Sequence, residues 1–182
     1  MAVAIRRRVY GQGAKRGDCI GPNPTDRAKN GTKRSLMVDA KGGILSVTVD
    51  GANRHDAKML AQTIADTIVG RPDAQAEPQH ICLDKGYDNP SGRTAATAAG
   101  YVTHIRRIGE EPVTPAQRKK HPARRWVVER AGAWLNGCRS ILVRWAKKSS
   151  NYLGIIKLAI ILLWYRRAVK LEPLKFPEAV LR

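Results

Sequence analysis

Residues 35–50 read SLMVDAKGGILSVTVD, and this stretch decides the fold. Ser35–Asp39 and Ile44–Asp50 are short runs of aliphatic and β-branched residues on either side of Lys41-Gly42-Gly43. Paired glycines supply the positive φ that a tight turn needs, so the stretch predicts a β-hairpin. Downstream, Asp56 is the expected N-cap of a helix whose apolar stripe repeats as Met59-Leu60, Thr63-Ile64 and Thr67-Ile68. A polar linker, Arg71–Gln79, leads to His80–Leu83, which reads as a buried strand ending at Asp84. A helix around Thr94–Ala99, broken at Gly100, and a strand over Tyr101–Ile108 come next. Glu110–His121 is a polar connection, and from Arg125 to Cys138 the pattern is helical. Val127, Ala131, Trp134 and Cys138 share one face there, and Arg125, Glu129, Gly132 and Asn136 another. Tyr152–Ala168 is apolar nearly all round, the pattern of a helix buried in a core. Upstream of the hairpin, the chain through Gly31 is rich in Gly, Pro, Asn and Arg and reads as an arm, with Ala2–Tyr10 the sole candidate for a preceding strand. Strands and helices alternate, so the class is α/β.

The chain has 182 residues, the size of one ordinary domain, and is 43% hydrophobic but 5% aromatic, so aliphatic side chains must fill its core. Its net charge is +18. That excess bears on partners and favours a polyanion. Residues 1–34 hold nine basic and two acidic side chains (+7), 35–103 six and eight (−2), 104–148 twelve and three (+9), and 149–182 six and two (+4). A mildly acidic centre thus lies between basic arms that can grip phosphates. The plainer reading is a solvated surface with chance clustering. The start, Ala2–Ile5 running into Arg6-Arg7-Arg8, is unlike a signal peptide. Ile155–Tyr165 contains Lys157 and is about half the ~20 residues of a membrane span. Cys19, Cys82 and Cys138 form no CxxC pair. These features speak against secretion, membrane insertion and a structural zinc, and for a cytoplasmic protein, nucleoid-associated when bound.

Two carboxylates stand in unusual surroundings. Asp84 ends a strand, where ligands of open α/β sheets bind, although a turn or cap role would also place it there. Glu129 is the sole acid between residues 112 and 171 and sits among Arg124, Arg125 and Arg130, where a simple ion pair with Arg125 is the competing explanation. Together, in a basic chain, they suggest carboxylates that hold Mg²⁺ beside a phosphodiester. Arg124, Arg125 and Arg130, with Arg118, Lys119, Lys120, Lys147 and Lys148, are the candidate phosphate contacts. Trp126, Trp134, Trp145 and Trp164 are able to stack on bases, but Trp134 and Trp164, on apolar helix faces, read as core. His55 reads as structural. No Ser/His/Asp set and no Gly-rich phosphate loop can be assembled.

Three strings carry a resemblance: GPNPTDRAKNGTKRSLMVDAKGGILSVTVDGANRHDAK (21–58), LDKGYDNP (83–90) and RRWVVERAGAWLNGCRSILVRW (124–145). In this order and approximate spacing they resemble the catalytic part of bacterial insertion-sequence transposases of the DDE superfamily, over roughly residues 15–168. The resemblance implies an RNase H-like mixed sheet flanked by helices, with residues 35–170 as the catalytic domain, 1–34 as a basic arm holding the poorly represented first strand, and 171–182 as a tail. Asp84 matches the family's second catalytic Asp and Glu129 its catalytic Glu, both as metal ligands. Arg125 matches the Arg of the Tyr-x2-Arg-x3-Glu-x6-Lys signature, in which Pro122 replaces the Tyr and Asn136 the Lys.

No acid matches the first Asp. Ala2–Tyr10 has none, and Asp18, Asp26, Asp39 and Asp50 read as loop or turn residues. The resemblance therefore implies the C-terminal portion of a transposase: a truncated copy, a misassigned start, or a second reading frame joined to an upstream one by frameshifting. The family uses two Mg²⁺ ions to cleave DNA at element ends and transfer the strand to target DNA. Implied partners are duplex DNA, an upstream-frame or full-length transposase, and a second copy in a dimer on DNA. The main rival is a non-catalytic fragment that binds DNA or interferes with the transposase; a second is an RNase H-like nuclease.

Overall fold

A computed structural model describes residues 2–10, 17–24, 26–73, 75–105 and 125–171. Its strands are β1 (Ala2–Tyr10), β2 (Gly21–Pro22), β3 (Asn30–Val38), β4 (Ile44–Gly51), β5 (Gln79–Leu83) and β6 (Tyr101–Ile105). Its helices are α1 (Asp56–Ala65), α2 (Pro90–Ala98), α3 (Arg125–Asn136) and α4 (Ser149–Leu171), with 3-10 turns at Lys85–Tyr87 and Arg139–Ile141.

The hairpin forms as expected and is longer than its apolar runs. β3 pairs antiparallel with β4 from Thr32↔Gly51 to Val38↔Ile44. Asp39 shapes the turn, its Oδ1 accepting from the backbone N–H groups of Lys41 and Gly43, both at 2.8 Å. Gly42 takes φ +90, which a side chain would resist. On its other edge β3 pairs antiparallel with β1, and β1 runs parallel to β5, which runs parallel to β6. The sheet order is therefore β4-β3-β1-β5-β6, with the short β2 beside the start of β3.

The stretch read as an arm thus supplies the central strand. Hydrophobic alternation is the sequence signal for a strand, and Arg6-Arg7-Arg8 interrupts it in β1. Backbone pairing needs no such pattern, and β1 has a strand on each side.

Strand alternation sends side chains to two cores. Leu36, Val38, Ile44 and Val47 pack with Val127, Val128, Ala131 and Leu135 of α3 and with Tyr152, Ile156 and Ala159 of α4. Met37, Leu45, Ile81, Leu83 and Tyr101 pack on the other face with Leu60 and Ile64 of α1 and Ala96 of α2. Burying each large aliphatic side chain stabilises the fold by about 1.5–3 kcal/mol.

Three local expectations are corrected. The α1 cap is His55, whose Nδ1 accepts from Ala57 N–H, while Asp56 enters the first turn. There Asp56 is buried against Lys33 of β3, Nζ to Oδ1 3.1 Å, because an ammonium in that interior needs a carboxylate. Helix α4 is not buried all round: Leu158, Ile161, Leu162 and Tyr165 are exposed, since the sheet and α3 cover one face alone. Trp134 and Trp164 are not core either, at 46% and 38% exposed. The inward stripe of α3 runs through Val128, Ala131 and Leu135, one residue out of phase with Trp134. Among the described residues, no helix is long and apolar enough to cross a membrane.

Candidate catalytic and DNA-binding site

Asp84 is the first residue beyond β5 and is half-buried. Its backbone carbonyl accepts from Tyr87 N–H at 2.9 Å, which starts the 3-10 turn and sets the direction of the chain at the strand end. The rest of its motif builds the next helix. Asn89 caps α2 by accepting from Gly92 N–H at 2.8 Å, and Asp88 pairs with Arg93, Oδ1 to Nη2 2.6 Å. Gly92 has no room for a side chain, because a Cβ there would lie 2.4 Å from the Tyr87 carbonyl oxygen.

Glu129 is half-buried in the middle of α3. Asn136, two turns on along that flank, accepts from Arg34 Nη2 at 3.2 Å. Arg34 comes from β3 and is 1% exposed. The position where the family signature carries Lys thus still meets a cation, supplied by the strand. Sequence reasoning missed Arg34, although its phase with Leu36 and Val38 marks it as inward-facing.

The first strand supplies no acid. Parallel pairing matches Ile5 with Leu83, so the next step along the register places Arg6 beside Asp84. Asp50 and Asp26 have local partners. Asp50 accepts from Gly51 N–H and pairs with Arg54, Nε to Oδ2 3.3 Å. Asp26 lies 3.7 Å from Lys29 Nζ. Asp18 lies in an exposed turn. Among the described residues, no three His, Cys, Asp or Glu side chains come close enough to hold one metal ion.

The candidate phosphate contacts divide. Arg118, Lys119, Lys120 and Arg124 lie outside the described residues, and Arg125 opens α3. Arg130 is engaged by protein groups: Nη2 donates to Lys41 O at 3.0 Å, and its guanidinium lies 4.5 Å from the Trp126 ring centre and 5.0 Å from that of Trp134. Lys147 and Lys148 are exposed in the loop before α4.

That loop is anchored by Arg144, which sequence reasoning passed over. At 3% exposed, it donates to Thr32 Oγ1 (2.8 Å) and to the carbonyls of Cys19 (3.0 Å), Ala146 (2.9 Å) and Lys147 (2.9 Å). Asp18 N–H adds a 3.2 Å bond to Lys147 O. One guanidinium therefore joins the 17–20 segment, β3 and the lysine loop. Trp145 beside it is 83% exposed. The GANRHD motif is structural: Asn53 Oδ1 occupies the space where a Cβ on Gly21 or Gly51 would stand.

Comparison with known proteins identifies the family. Residues 6–164 match the family described as "Transposase DDE domain". The protein assigned as transposase for insertion sequence element IS402 of Burkholderia cepacia is 34% identical over 153 residues, covering 79% of this chain and 67% of that protein. The piggyBac transposase, solved in a synaptic complex with hairpin DNA, superposes with a TM-score of 0.51 at 11% identity, over 87% of this chain and 45% of that one. The catalytic core of BIV integrase gives 0.44 at 12% identity, over 88% and 80%. The fold is thus RNase H-like, and the chain belongs to the DDE transposase family of insertion sequences.

Proposed function

We propose that this chain is the catalytic domain of an insertion-sequence transposase, that it acts on duplex DNA, and that Asp84 and Glu129 are its metal-holding acids. One arrangement carries this reading. Asp84 ends the strand beside β1, and α3, which bears Glu129, packs over β1 and β3. Cys82, two residues before Asp84, packs into the same cluster as Val127 and Val128, and strand alternation continues that side to Asp84.

The donor set fits one Mg²⁺, which takes one or two carboxylates together with substrate phosphates. Such an ion supplies Lewis acidity at a phosphoryl oxygen. A second ion would need a further acid, and β1, the strand beside β5, carries none in its sequence. Lys147 and Lys148 would hold flanking phosphates, and the Arg144 bonds would keep that loop in place.

That lack of an acid in β1 also favours a second reading, a fragment that binds element-end DNA without cutting it. Cleavage of a plasmid carrying element ends, with Mg²⁺, separates the two. Slow cleavage is expected, raised at least about tenfold by Arg6→Asp and abolished in that background by Asp84→Asn or Glu129→Gln. Arg6→Asp that binds DNA but still cuts no faster favours the second reading. Cleavage indifferent to both acid substitutions defeats the assignment of Asp84 and Glu129.

A further inference from the structure

On the flank of α3 roughly 100–140° round from Glu129, a cavity of about 450 Å³ opens between the β3–β4 turn, α3 and the C-terminal half of α4. Its walls carry Lys41, Arg130, Arg166 and Arg167 and the indoles of Trp134 and Trp164, with no carboxylate among the described lining residues. Trp164 is held by a 2.9 Å bond from Nε1 to Ile44 O and by its approach to Gly43, where a Cβ would lie 2.4 Å from the ring. Arg130 is held between Trp126 and Trp134 and by Lys41 O, yet its Nε is buried with no hydrogen-bond acceptor. The walls are therefore preorganised.

Four cations outweigh the one carboxylate at the turn, Asp39, and select an anion, and indoles above an apolar floor of Ile160 and Leu163 select a flat aromatic body. A nucleotide is both at once, and the volume suits one small ligand. In a duplex the base faces are stacked and out of reach, so the ligand must be unpaired. We propose that this cavity takes one unstacked nucleotide of single-stranded DNA, its base against Trp134 and Trp164 and its phosphate against the arginines. The inference rests on the DNA-binding reading above.

The test compares the full chain's affinity for a pentathymidine oligomer, for the same oligomer with its bases removed, and for a 20-base-pair duplex. Base stacking predicts that the abasic oligomer binds roughly 5- to 150-fold more weakly than pentathymidine. Trp134→Ala should lower pentathymidine affinity to near the abasic value, Trp134→Tyr should restore most of it, and both should bind duplex within about twofold of the parent. Thermal melting shows that the variants are folded. Equal binding of the two oligomers, or a Trp134→Ala loss shared by the duplex, overturns the cavity inference and leaves the DNA-binding reading standing. Failure to bind any of the three at low salt defeats that reading, and the inference with it.

Discussion

Replacing Arg144 by Met tests whether one buried guanidinium organises the lysine loop. Met retains much of the apolar stem and removes all four hydrogen bonds. The bond to Thr32 Oγ1 is buried, and losing a charged partner there costs about 1.5–3 kcal/mol. The bonds to the carbonyls of Cys19, Ala146 and Lys147 are partly buried, so water can replace the donor and each loss is nearer about 0.5–1 kcal/mol. The guanidinium also lies 5.4 Å from the Tyr152 ring centre, a minor further term. Since the four bonds share one group, their losses do not simply add, and about 3–5 kcal/mol is expected. For a chain of this size that lowers the melting temperature by roughly 6–20 °C. Urea unfolding followed by tryptophan fluorescence measures it. Arg144→Lys should lose at least half as much, because an ammonium cannot span acceptors placed for a planar fork. A loss below about 1 kcal/mol for Arg144→Met, or none for Arg144→Lys, would refute the reasoning.

Duplex affinity should fall steeply with salt, and Lys147→Ala and Lys148→Ala should each lower the slope of log K against log salt by about one; an unchanged slope in the double variant would remove that loop from the phosphate contacts. Gly43→Ala should cost about 1–3 kcal/mol and shift the tryptophan emission, because the new methyl meets the Trp164 ring; a neutral effect would mean that the turn and indole separate freely. Burial pushes the Tyr101 phenol above its usual 10.0, with Arg71 opposing. The folded chain then holds that proton where the unfolded chain has released it, so stability present below pH 10.0 is lost as pH rises through the folded value. Tyr101→Phe should flatten that alkaline loss in urea titrations, and an unchanged profile would assign the loss to other groups.

The amino-acid order alone determined the elements whose signals are local. The hairpin at 35–50 was legible because Gly42-Gly43 and two alternating runs state both turn and strands within sixteen residues. Asp84 at a strand end and Glu129 on a helix were legible for the same reason, as were the family strings around them. Ala2–Tyr10 was legible as the one candidate for a first strand, but not its central place, because that is set by backbone bonds to β3 and β5, and these partners lie far along the chain. Helix amphipathicity also misled where two faces compete. The spacing of Val127, Ala131 and Trp134 is helical, but whether Trp134 or Leu135 points inward depends on how α3 is rotated against the sheet. That rotation turned Trp134 from presumed core into a wall of a cationic cavity, which Trp164 of α4 also lines. Tertiary structure likewise gave Arg34 and Arg144 their roles. A composition count reads an arginine as surface charge, whereas burial obliges each to find acceptors, and the acceptors of Arg144 sit on segments more than a hundred residues away as well as in its own loop. The pairing of β1 with β5, which brings Ile5 beside Leu83, belongs to the same class, since a parallel register exists only once both strands are in the sheet.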